Sequence, residues 1–372
     1  MKIVLTNSIV YRYAVGAPNA QGGAERFQWL LARALTEAGW SVVVGVRDDI
    51  APGQEQVIDG VRFVGMKNGN FILAWWKFLE EQKPQWWFWR AADPLWAVLL
   101  FVARLNGVRS IFSAAYDTDV EPRTALIRRK RWWPLYAWGL RRVDRIFVQH
   151  RKQFENLSPK LQTKTQILPG LVAIPRYVKP RQERGNYMVW VASLRPHKRP
   201  DLLIELARRT PEIRYVVCGG KSGFSAQTEF SEKITTSLGS LSNIEHLGDV
   251  PHPRVLEIIA SATALVSTSD MEGFPNIFLE AWAAGTPVVS LMIDPDDLIR
   301  EKGLGFVSGN LDKAVSDIRN LLMSHQTFET MSSRARTHVE TTYAGRAVVS
   351  AFEKAGLRNE KPVNVTGQMH RQ

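Results

Sequence analysis

Cysteine, long apolar runs and metal-binding patterns are scarce or missing in this sequence of 372 residues. The single cysteine, Cys218, cannot form a disulfide within the chain, so a hydrophobic core has to supply the stability. The best apolar candidate, Leu95 to Ala103, has about half of the ~20 residues that cross a bilayer. Neither Cys-x-x-Cys nor His-Glu-x-x-His occurs. The chain turns polar by Asn7 without the apolar stretch of a signal peptide, so we expect a cytoplasmic protein.

The net charge of +12 is concentrated in the first half of the chain. Residues 1–180 account for all of it, and 11 of the 13 tryptophans lie there as well. A basic, tryptophan-rich half suits an anionic partner such as a phosphorylated substrate, a membrane surface or nucleic acid. At ~100–200 residues per domain, the length predicts two domains.

Short apolar runs alternate with helical patterns along the chain, which is typical of a parallel sheet covered by helices on both faces. The runs predicted as strands are Ile3–Leu5, Ser41–Val46, Gln85–Trp89, Ser110–Ser113, Arg145–Val148, Tyr187–Ala192, Arg214–Cys218, Ile244–Leu247, Ala264–Ser267, Pro287–Ser290 and Gly305–Val307. The fold class is therefore α/β, with two Rossmann-like domains. Ligands are expected at the carboxyl ends of the strands, in a cleft between the domains.

The predicted domains divide at a polar segment with proline and glycine, Tyr177–Asn186, which is the best candidate for a linker. We expect an N-terminal domain over 1–180, a C-terminal domain over 181–357 and a disordered tail over 358–372. Residues 327–356 are predicted to be helical, and this last helical stretch can pack back on the N-terminal domain.

The most informative stretch starts at Glu272 and reads EGFPNIFLEAWAAGTPVVS. Gly273 permits close approach of a ligand, Pro275 suits a first helical turn, and Gly285 ends the helix. The start of that helix presents free backbone N–H groups, which is an arrangement suited to a diphosphate. Two carboxylates beside a phosphate site conflict electrostatically unless they bind sugar hydroxyls, for which Glu272 and Glu280 are well suited.

This stretch resembles the E-x7-E motif of the family 4 glycosyltransferases, also called glycosyl transferases group 1, which have the GT-B fold. In that family the first glutamate contacts the transferred sugar and the second holds the ribose of the nucleotide. The resemblance assigns these roles to Glu272 and Glu280. The loop and helix start between them, whose amides would touch sugar and phosphate, comprise Gly273, Phe274, Pro275 and Asn276.

Two further segments resemble the same family. The segment WVASLRPHKRPDLLI places Lys198 at the position of the diphosphate-binding lysine of the family. Alanine and serine replace the usual Gly-Arg there, so Arg195 is expected to supply the guanidinium from a shifted position. Near the N-terminus, Gly22 and Gly23 begin a G-G-A-E sequence that resembles the G-G-x-E of the family and lets the backbone approach the donor. The segment from Asn243 to Pro251 resembles the part that reads the nucleotide base through its backbone, which leaves the base undetermined.

The acceptor side departs from the family. Many members carry a histidine after a middle strand, where this chain has SAAYDTD over 113–119. Tyr116, Asp117 and Asp119 are candidates for positioning an acceptor hydroxyl or taking its proton. Polysaccharide glycosyltransferases resemble the chain here and at Arg90.

Asp117-Thr-Asp119 and Asp294-Pro-Asp296 also look like the D-x-D metal motif of GT-A glycosyltransferases. The E-x7-E motif and the two α/β domains argue against that class, so no catalytic metal is expected. Instead, Lys198 and helix-terminal amides are expected to stabilise the leaving diphosphate.

A run of basic and aromatic residues suits anionic lipid headgroups, with tryptophan at the interface. Its members include Arg128, Arg129, Lys130, Arg131, Trp132 and Trp133. We expect it to dock the protein on the inner face of the cytoplasmic membrane, where a polyprenyl-diphosphate-linked glycan could be the acceptor. A solvated basic face over buried tryptophans is the alternative interpretation.

The resemblance implies a retaining glycosyltransferase that takes a nucleotide-diphosphate sugar as donor and a glycan or lipid-linked acceptor, as in the biosynthesis of cell-surface polysaccharides. A GT-B sugar-nucleotide epimerase is an alternative enzyme. A nucleic-acid-binding protein is compatible with the charge, although no nucleic-acid-binding module accompanies it.

Overall fold

The computed structural model describes residues 1–6, 8–17, 23–123, 125, 130–220, 228–272 and 274–357. Within these ranges the strands are β1 (Lys2–Leu5), β2 (Ser41–Val46), β3 (Glu55–Ile58), β4 (Val61–Gly65), β5 (Trp86–Arg90), β6 (Arg109–Ser113), β7 (Arg145–Val148), β8 (Thr165–Ile167), β9 (Tyr187–Val191), β10 (Arg214–Cys218), β11 (Ile244–Gly248), β12 (Ala264–Ser267), β13 (Val288–Ser290) and β14 (Gly305–Val307). The helices are α1 (Ser8–Ala14), α2 (Gly23–Glu37), α3 (Phe71–Gln82), α4 (Pro94–Leu105), α5 (Trp133–Arg142), α6 (Arg151–Glu155), α7 (Pro159–Gln162), α8 (Pro200–Arg209), α9 (Thr228–Gly239), α10 (His252–Ser261), α11 (Asn276–Ala283), α12 (Leu298–Lys302), α13 (Leu311–Met323), α14 (His325–Thr342) and α15 (Gly345–Lys354).

The chain forms two compact units, and the first comprises residues 1–171 together with the chain from Gly345 onward. Its sheet has the order β3-β4-β2-β1-β5-β6-β7-β8, and all neighbours are parallel except β3 and β4. That antiparallel pair is a hairpin which the sequence prediction missed. Its turn consists of Asp59 and Gly60, both with positive φ, and Asp-Gly is a strong hairpin signal.

Helices cover both faces of the first sheet and bury most of the tryptophans that make this half unusual. The side chains of Trp75, Trp86, Trp87 and Trp96 are among the largest fully buried ones. Tryptophan enrichment in this half therefore reflects core packing to a large extent.

The second unit comprises Val172–Ala344 and contains a fully parallel sheet of order β11-β10-β9-β12-β13-β14. The boundary between the units precedes the predicted linker. Arg184 of that segment is buried, and its guanidinium donates to the carbonyls of Ala262 and Ala284 and to the hydroxyl of Thr286. These bonds fix the segment on the second unit.

The stretch predicted to be helical over 327–356 contains two helices in the structure. Helix α14 ends at Thr342 in the second unit, and α15 starts at Gly345 in the first. Val348 and Phe352 of α15 are fully buried in the core of the first unit, and the Phe352 ring packs edge-on against Trp40. The break lets one apolar face serve each unit. The predicted tail over 358–372 lies outside the described residues. None of the helices in the described part of the chain is long and apolar enough to cross a membrane.

Candidate functional site

The loops after β9 and β12 are tied together at the carboxyl edge of the second sheet, because these two strands are neighbours. The buried indole of Trp190 donates to the hydroxyl of Thr268 at 3.0 Å. That hydroxyl donates in turn to the carbonyl of Lys198 at 2.8 Å. The amide of Asp270 donates to the carbonyl of His197 at 3.0 Å. The two loops therefore hold each other in a fixed arrangement.

This arrangement brings two of the predicted catalytic residues together. The ammonium of Lys198 contacts the carboxylate of Glu272 directly, and both side chains are largely buried. The hydroxyl of Ser269 donates to the same carboxylate oxygen at 3.1 Å. Burial, and after it the charge of Lys198, lowers the pKa of the adjacent His197. The loops thus hold the ammonium of Lys198 at the strand edge, paired with Glu272. Thr268 and Ser269 were not predicted, although they lie between β12 and Glu272.

Arg195 lies at the start of the loop that carries Lys198, immediately before the 3-10 turn Pro196–Lys198. Its side chain is partly buried, and its backbone amide donates to the carbonyl of Ser193 at 2.8 Å. The amide of Lys198 donates to the carbonyl of Arg195 at 3.0 Å, so the two residues lie at opposite ends of one turn. The assignment of Arg195 as a catalytic cation stays a prediction.

The second glutamate of the motif is placed differently from its partner. Glu280 lies inside α11 and is only 3% exposed, and its carboxylate is 2.9 Å from Nε2 of His252. The side chain of His252 is 27% exposed. The solvent-facing group at this place is therefore the imidazole, which the sequence prediction missed. His252 is the first residue of α10, and its position just after β11 was a usable signal.

The loop between the glutamates is only partly described. Gly273 lies outside the described residues. The ring of Phe274 packs against Tyr343 at 5.6 Å, Pro275 is buried, and Asn276 starts α11. The predicted helix start and its end before Gly285, which has a φ of 66°, are confirmed.

Two glycines that the sequence prediction did not single out follow β10 at the same edge. A Cβ on Gly219 would lie 1.9 Å from the carbonyl oxygen of Ala192. A Cβ on Gly220 would lie 2.2 Å from the carboxylate of Asp249. The backbones that follow β9 and β10 therefore approach so closely that only glycine fits at position 219, whereas at position 220 the close neighbour is the side chain of Asp249.

The first unit has its own polar cluster where β5, β6 and β7 end. Arg90, the last residue of β5, donates from Nη1 to the hydroxyl of Ser113 at 2.8 Å. With its amide oriented to satisfy both polar atoms, Gln149 accepts from Nη2 of Arg90 at 2.8 Å. The guanidinium lies 3.9 Å from the ring centroid of Phe27, and burial lowers its pKa to about 10. Arg90 thus joins three elements of the first unit.

Asp119 is fully buried, which corrects the prediction that it meets an acceptor. Its Oδ2 accepts the backbone amides of Ala115 and Tyr116 at 2.8 and 3.1 Å, and its carbonyl accepts the hydroxyl of Tyr136. Burial raises the pKa of this carboxyl. Asp119 therefore shapes the loop after β6 and is not placed to touch a substrate.

Asp117 is the accessible carboxylate of this loop, with a side chain that is 42% exposed. Its Oδ1 accepts from Nε2 of His150 at 2.8 Å and from the amide of Gln153 at 2.9 Å. The hydrogen bond from His150 is the largest cause of its lowered pKa. Tyr116 beside it is exposed. His150 and Gln153 were not predicted, although His150 follows β7 at the same sheet edge.

The two D-x-D sequences lie in different units of the structure. Asp117 and Asp119 have different partners, as described above. Asp294 accepts the amide of Ile299 at 2.8 Å, while Asp296 has a left-handed backbone with a φ of 50°. Across the described ranges, no group of three or more His, Cys, Asp or Glu residues is arranged to hold a metal ion.

Part of the remaining predicted site lies outside the described residues, namely Gly22, Arg128 and Arg129. Gly23 is the first residue of α2. Arg131, Trp132 and Trp133 are exposed at the start of α5. Lys130 begins the short 3-10 turn before that helix.

Solved structures with a similar fold are glycosyltransferases of the GT-B class, and this chain has that fold. Sucrose-phosphate synthase from Thermosynechococcus elongatus superposes with a TM-score of 0.69 at 15% identity, over 96% of this chain and 98% of that one. HepE from Anabaena, in complex with UDP and glucose, gives a TM-score of 0.70 at 15% identity, over 97% of this chain and 100% of that one.

Two family models together match most of the chain. The model described as Glycosyltransferase Family 4 matches residues 21–172, and the model described as Glycosyl transferases group 1 matches residues 176–338. The chain belongs to the family 4 glycosyltransferases, which confirms the resemblance of the E-x7-E segment.

Curated relatives match over part of their length. The D-inositol 3-phosphate glycosyltransferase of Corynebacterium diphtheriae is 29% identical over 145 residues, which are 37% of this chain and 32% of that protein. The enzyme of the same name from Corynebacterium glutamicum is 29% identical over 195 residues, which are 49% of this chain and 46% of that protein. The matches thus span about a third to a half of these relatives.

Proposed function

We propose that the protein is a retaining glycosyltransferase that transfers a sugar from a nucleotide-diphosphate sugar to a glycan or lipid-linked acceptor in cell-surface polysaccharide biosynthesis. The contact between Lys198 and Glu272 at the carboxyl edge of the second sheet carries this proposal. We take Lys198 as the cation for the diphosphate and Glu272 as the carboxylate for sugar hydroxyls, and both lie within the segment matched by the family model.

Lys198 stabilises the leaving group in this mechanism. As the bond between the anomeric carbon and the diphosphate breaks, negative charge grows on the phosphate oxygen, and a cation already in place stabilises it without reorganisation. Arg195 and the amides around Phe274 and Asn276 add to this positive environment. We propose that these groups suffice without a metal ion.

Retention follows when the acceptor attacks from the face that the diphosphate leaves. The acceptor oxygen forms the new bond to the anomeric carbon, and its proton passes to the departing phosphate oxygen. In this mechanism Glu272 holds hydroxyls of the transferred sugar, and the ribose of the nucleotide binds beside Glu280. Arg90 and Asp117 in the first unit are acceptor-side candidates. Asp117 is exposed, and its lowered pKa keeps the carboxylate ionised. Arg90 lies at the end of β5 and is hydrogen-bonded to Ser113.

A panel of nucleoside diphosphates and their sugar conjugates tests the donor. Thermal shifts are recorded with EDTA present for the wild type and for Glu272→Gln, since a ligand of the native state raises the midpoint. The stabilising sugar conjugate is then incubated with candidate acceptors. The proposal is supported when the sugar is found attached to a glycan or lipid and its linkage has the same anomeric configuration as in the donor. Free epimerised sugar nucleotide would instead identify the alternative epimerase, and inversion would exclude the retaining mechanism.

A lipid-linked acceptor requires access to a membrane, and we propose that α4 and α5 provide the contact surface. Neither helix contains an aspartate or glutamate, whereas together they contain three arginines. On α4, Phe101 and Leu105 are 53% and 56% exposed. Helices α4 and α5 pack closely, since a Cβ on Gly139 would lie 2.6 Å from the ring of Trp96. Apolar side chains flanked by arginines are typical of surfaces that bind anionic bilayers.

Flotation with vesicles tests this surface. We expect binding to phosphatidylglycerol vesicles and little binding to phosphatidylcholine vesicles. Replacing Phe101 and Leu105 together by serine should abolish flotation, whereas Val57→Ser, an equally exposed position on β3, should not. Equal flotation of all three proteins would contradict the assignment to α4 and α5.

A further inference from the structure

Each carboxylate of the E-x7-E motif has a basic side chain of its own in the second unit. Lys198 contacts Glu272, and Nε2 of His252 lies 2.9 Å from Oε1 of Glu280. Lys198 follows β9, and His252 follows β11, so different strands supply the two bases. The second pair needs an explanation, because family resemblance gives a ligand contact to the glutamate alone.

Burial separates Glu280 from bulk solvent. Helix α11 carries it next to Leu279 and Ala281, both in the apolar core, and leaves it 3% exposed. A buried carboxylate is costly unless it is hydrogen-bonded, and His252 provides such a bond. The imidazole itself is 27% exposed. A ligand that approaches this pair therefore meets His252 first.

The position of His252 also points toward a ligand. It is the first residue of α10 and follows β11 after a short loop, at the carboxyl edge of a parallel sheet. Ligands of open α/β sheets bind at this edge. Lys198 and Glu272 lie at the same edge, after β9 and β12.

We infer that His252 contacts a ribose hydroxyl of the donor nucleotide and that Glu280 orients the imidazole through its hydrogen bond to Nε2. The inference rests on the proposed function, because it takes a nucleotide as the ligand. When the proton on Nε2 is donated to Glu280, the imidazole is held in one tautomer, and a ribose hydroxyl meets a ring of defined hydrogen-bonding character. The carboxylate thereby fixes both the tautomer and the direction of the ring, as buried carboxylates do for other functional histidines.

If the imidazole contacts a ribose hydroxyl, removing either one should weaken nucleotide binding, and removing both should weaken it little further. The experiment measures dissociation constants for the stabilising nucleoside diphosphate and for its 2′-deoxy and 3′-deoxy analogues by calorimetry. The proteins are the wild type, His252→Ala, His252→Gln and the control His325→Ala, an exposed histidine at the start of α14. Thermal midpoints without ligand establish that each variant is folded.

We expect the wild type and the control to bind the ribonucleotide about tenfold more tightly than one of the deoxy analogues, which is the effect of about one hydrogen bond. His252→Ala should bind both within about twofold. His252→Gln keeps a donor for Glu280 and so guards against misfolding, and it should show an intermediate preference. A full tenfold preference in both variants, or none in a wild type that binds the nucleotide, would overturn the inference. A wild type that binds no nucleoside diphosphate would refute the proposed function itself.

Discussion

Replacing Lys198 by methionine tests the proposed chemistry most directly, because it removes the charge and keeps most of the side-chain volume. Loss of one preorganised electrostatic contact to a developing anion typically lowers kcat by about 100- to 1,000-fold, or about 2.7–4 kcal/mol. The cost in stability should be smaller, since Glu272 retains the hydroxyl of Ser269. One lost bond to a charged group corresponds to about 1.5–3 kcal/mol. At about 2–4 °C per kcal/mol for a unit of this size, the midpoint should fall by about 3–12 °C.

A matched control separates the two effects. Lys313 is paired with the buried carboxylate of Asp317 at 2.5 Å, which also accepts the hydroxyl of Ser308. Lys313→Met therefore removes a lysine from another lysine–carboxylate pair, one with a more exposed lysine and a more buried carboxylate, at a place with no predicted role in transfer. Initial rates at saturating donor and acceptor, measured well below both midpoints, should be normal for Lys313→Met and at least 100-fold lower for Lys198→Met. A Lys198→Met rate within threefold of the wild type would refute the assignment of Lys198 to the leaving group.

Three other changes have defined outcomes. Asp117→Asn should lower the free energy of unfolding at neutral pH. In urea titrations the difference from the wild type should vanish as pH falls through the lowered pKa of Asp117, because a carboxyl with a depressed pKa stabilises the fold only in its ionised form. Arg184→Leu should lower the thermal midpoint by roughly 6–12 °C, since buried carbonyls lose their donor at a cost of about 3 kcal/mol. Gly219→Ala should abolish the nucleotide-induced thermal shift, because its Cβ would lie 1.9 Å from the carbonyl oxygen of Ala192, whereas Gly239→Ala, with open space around it, should not.

The sequence predicted the α/β class because fully buried parallel strands read as continuous apolar runs, which is clear for β2 and β10. It missed the three-residue strand β8 and the hairpin of β3 and β4, whose outer strand is largely exposed and has only two apolar residues, too few for such a run. It also missed the break between α14 and α15. Both helices have helical patterns, and the division depends on which core each apolar face reaches, which is a tertiary property.

The contact between Lys198 and Glu272 could be expected from the sequence because both residues lie within short, continuous motif segments. Lys198 and Glu272 follow adjacent strands, so the loops that carry them have to meet. The acceptor side depends instead on pairs that are distant along the chain, such as Asp117 with His150 and Arg90 with Ser113. No local spacing indicates such pairs. Burial was equally hidden, since Asp117 and Asp119 look alike in the sequence while one is exposed and the other fully enclosed.

The pairing of Glu272 with Lys198 reduces an electrostatic conflict that the sequence raised. Two glutamates beside a diphosphate would repel it if both charges were uncompensated. Lys198 compensates the charge of Glu272, whereas Glu280 is buried and hydrogen-bonded to His252, so under the proposed function a bound diphosphate meets one compensated carboxylate and one enclosed one. The two pairs differ in what a ligand can do to them. Under the proposed function, Lys198 turns from Glu272 to a phosphate of the donor, while Ser269 stays on the carboxylate. Glu280 is only 3% exposed and lies among core residues, which suits a residue that fixes orientation while Lys198 responds to charge.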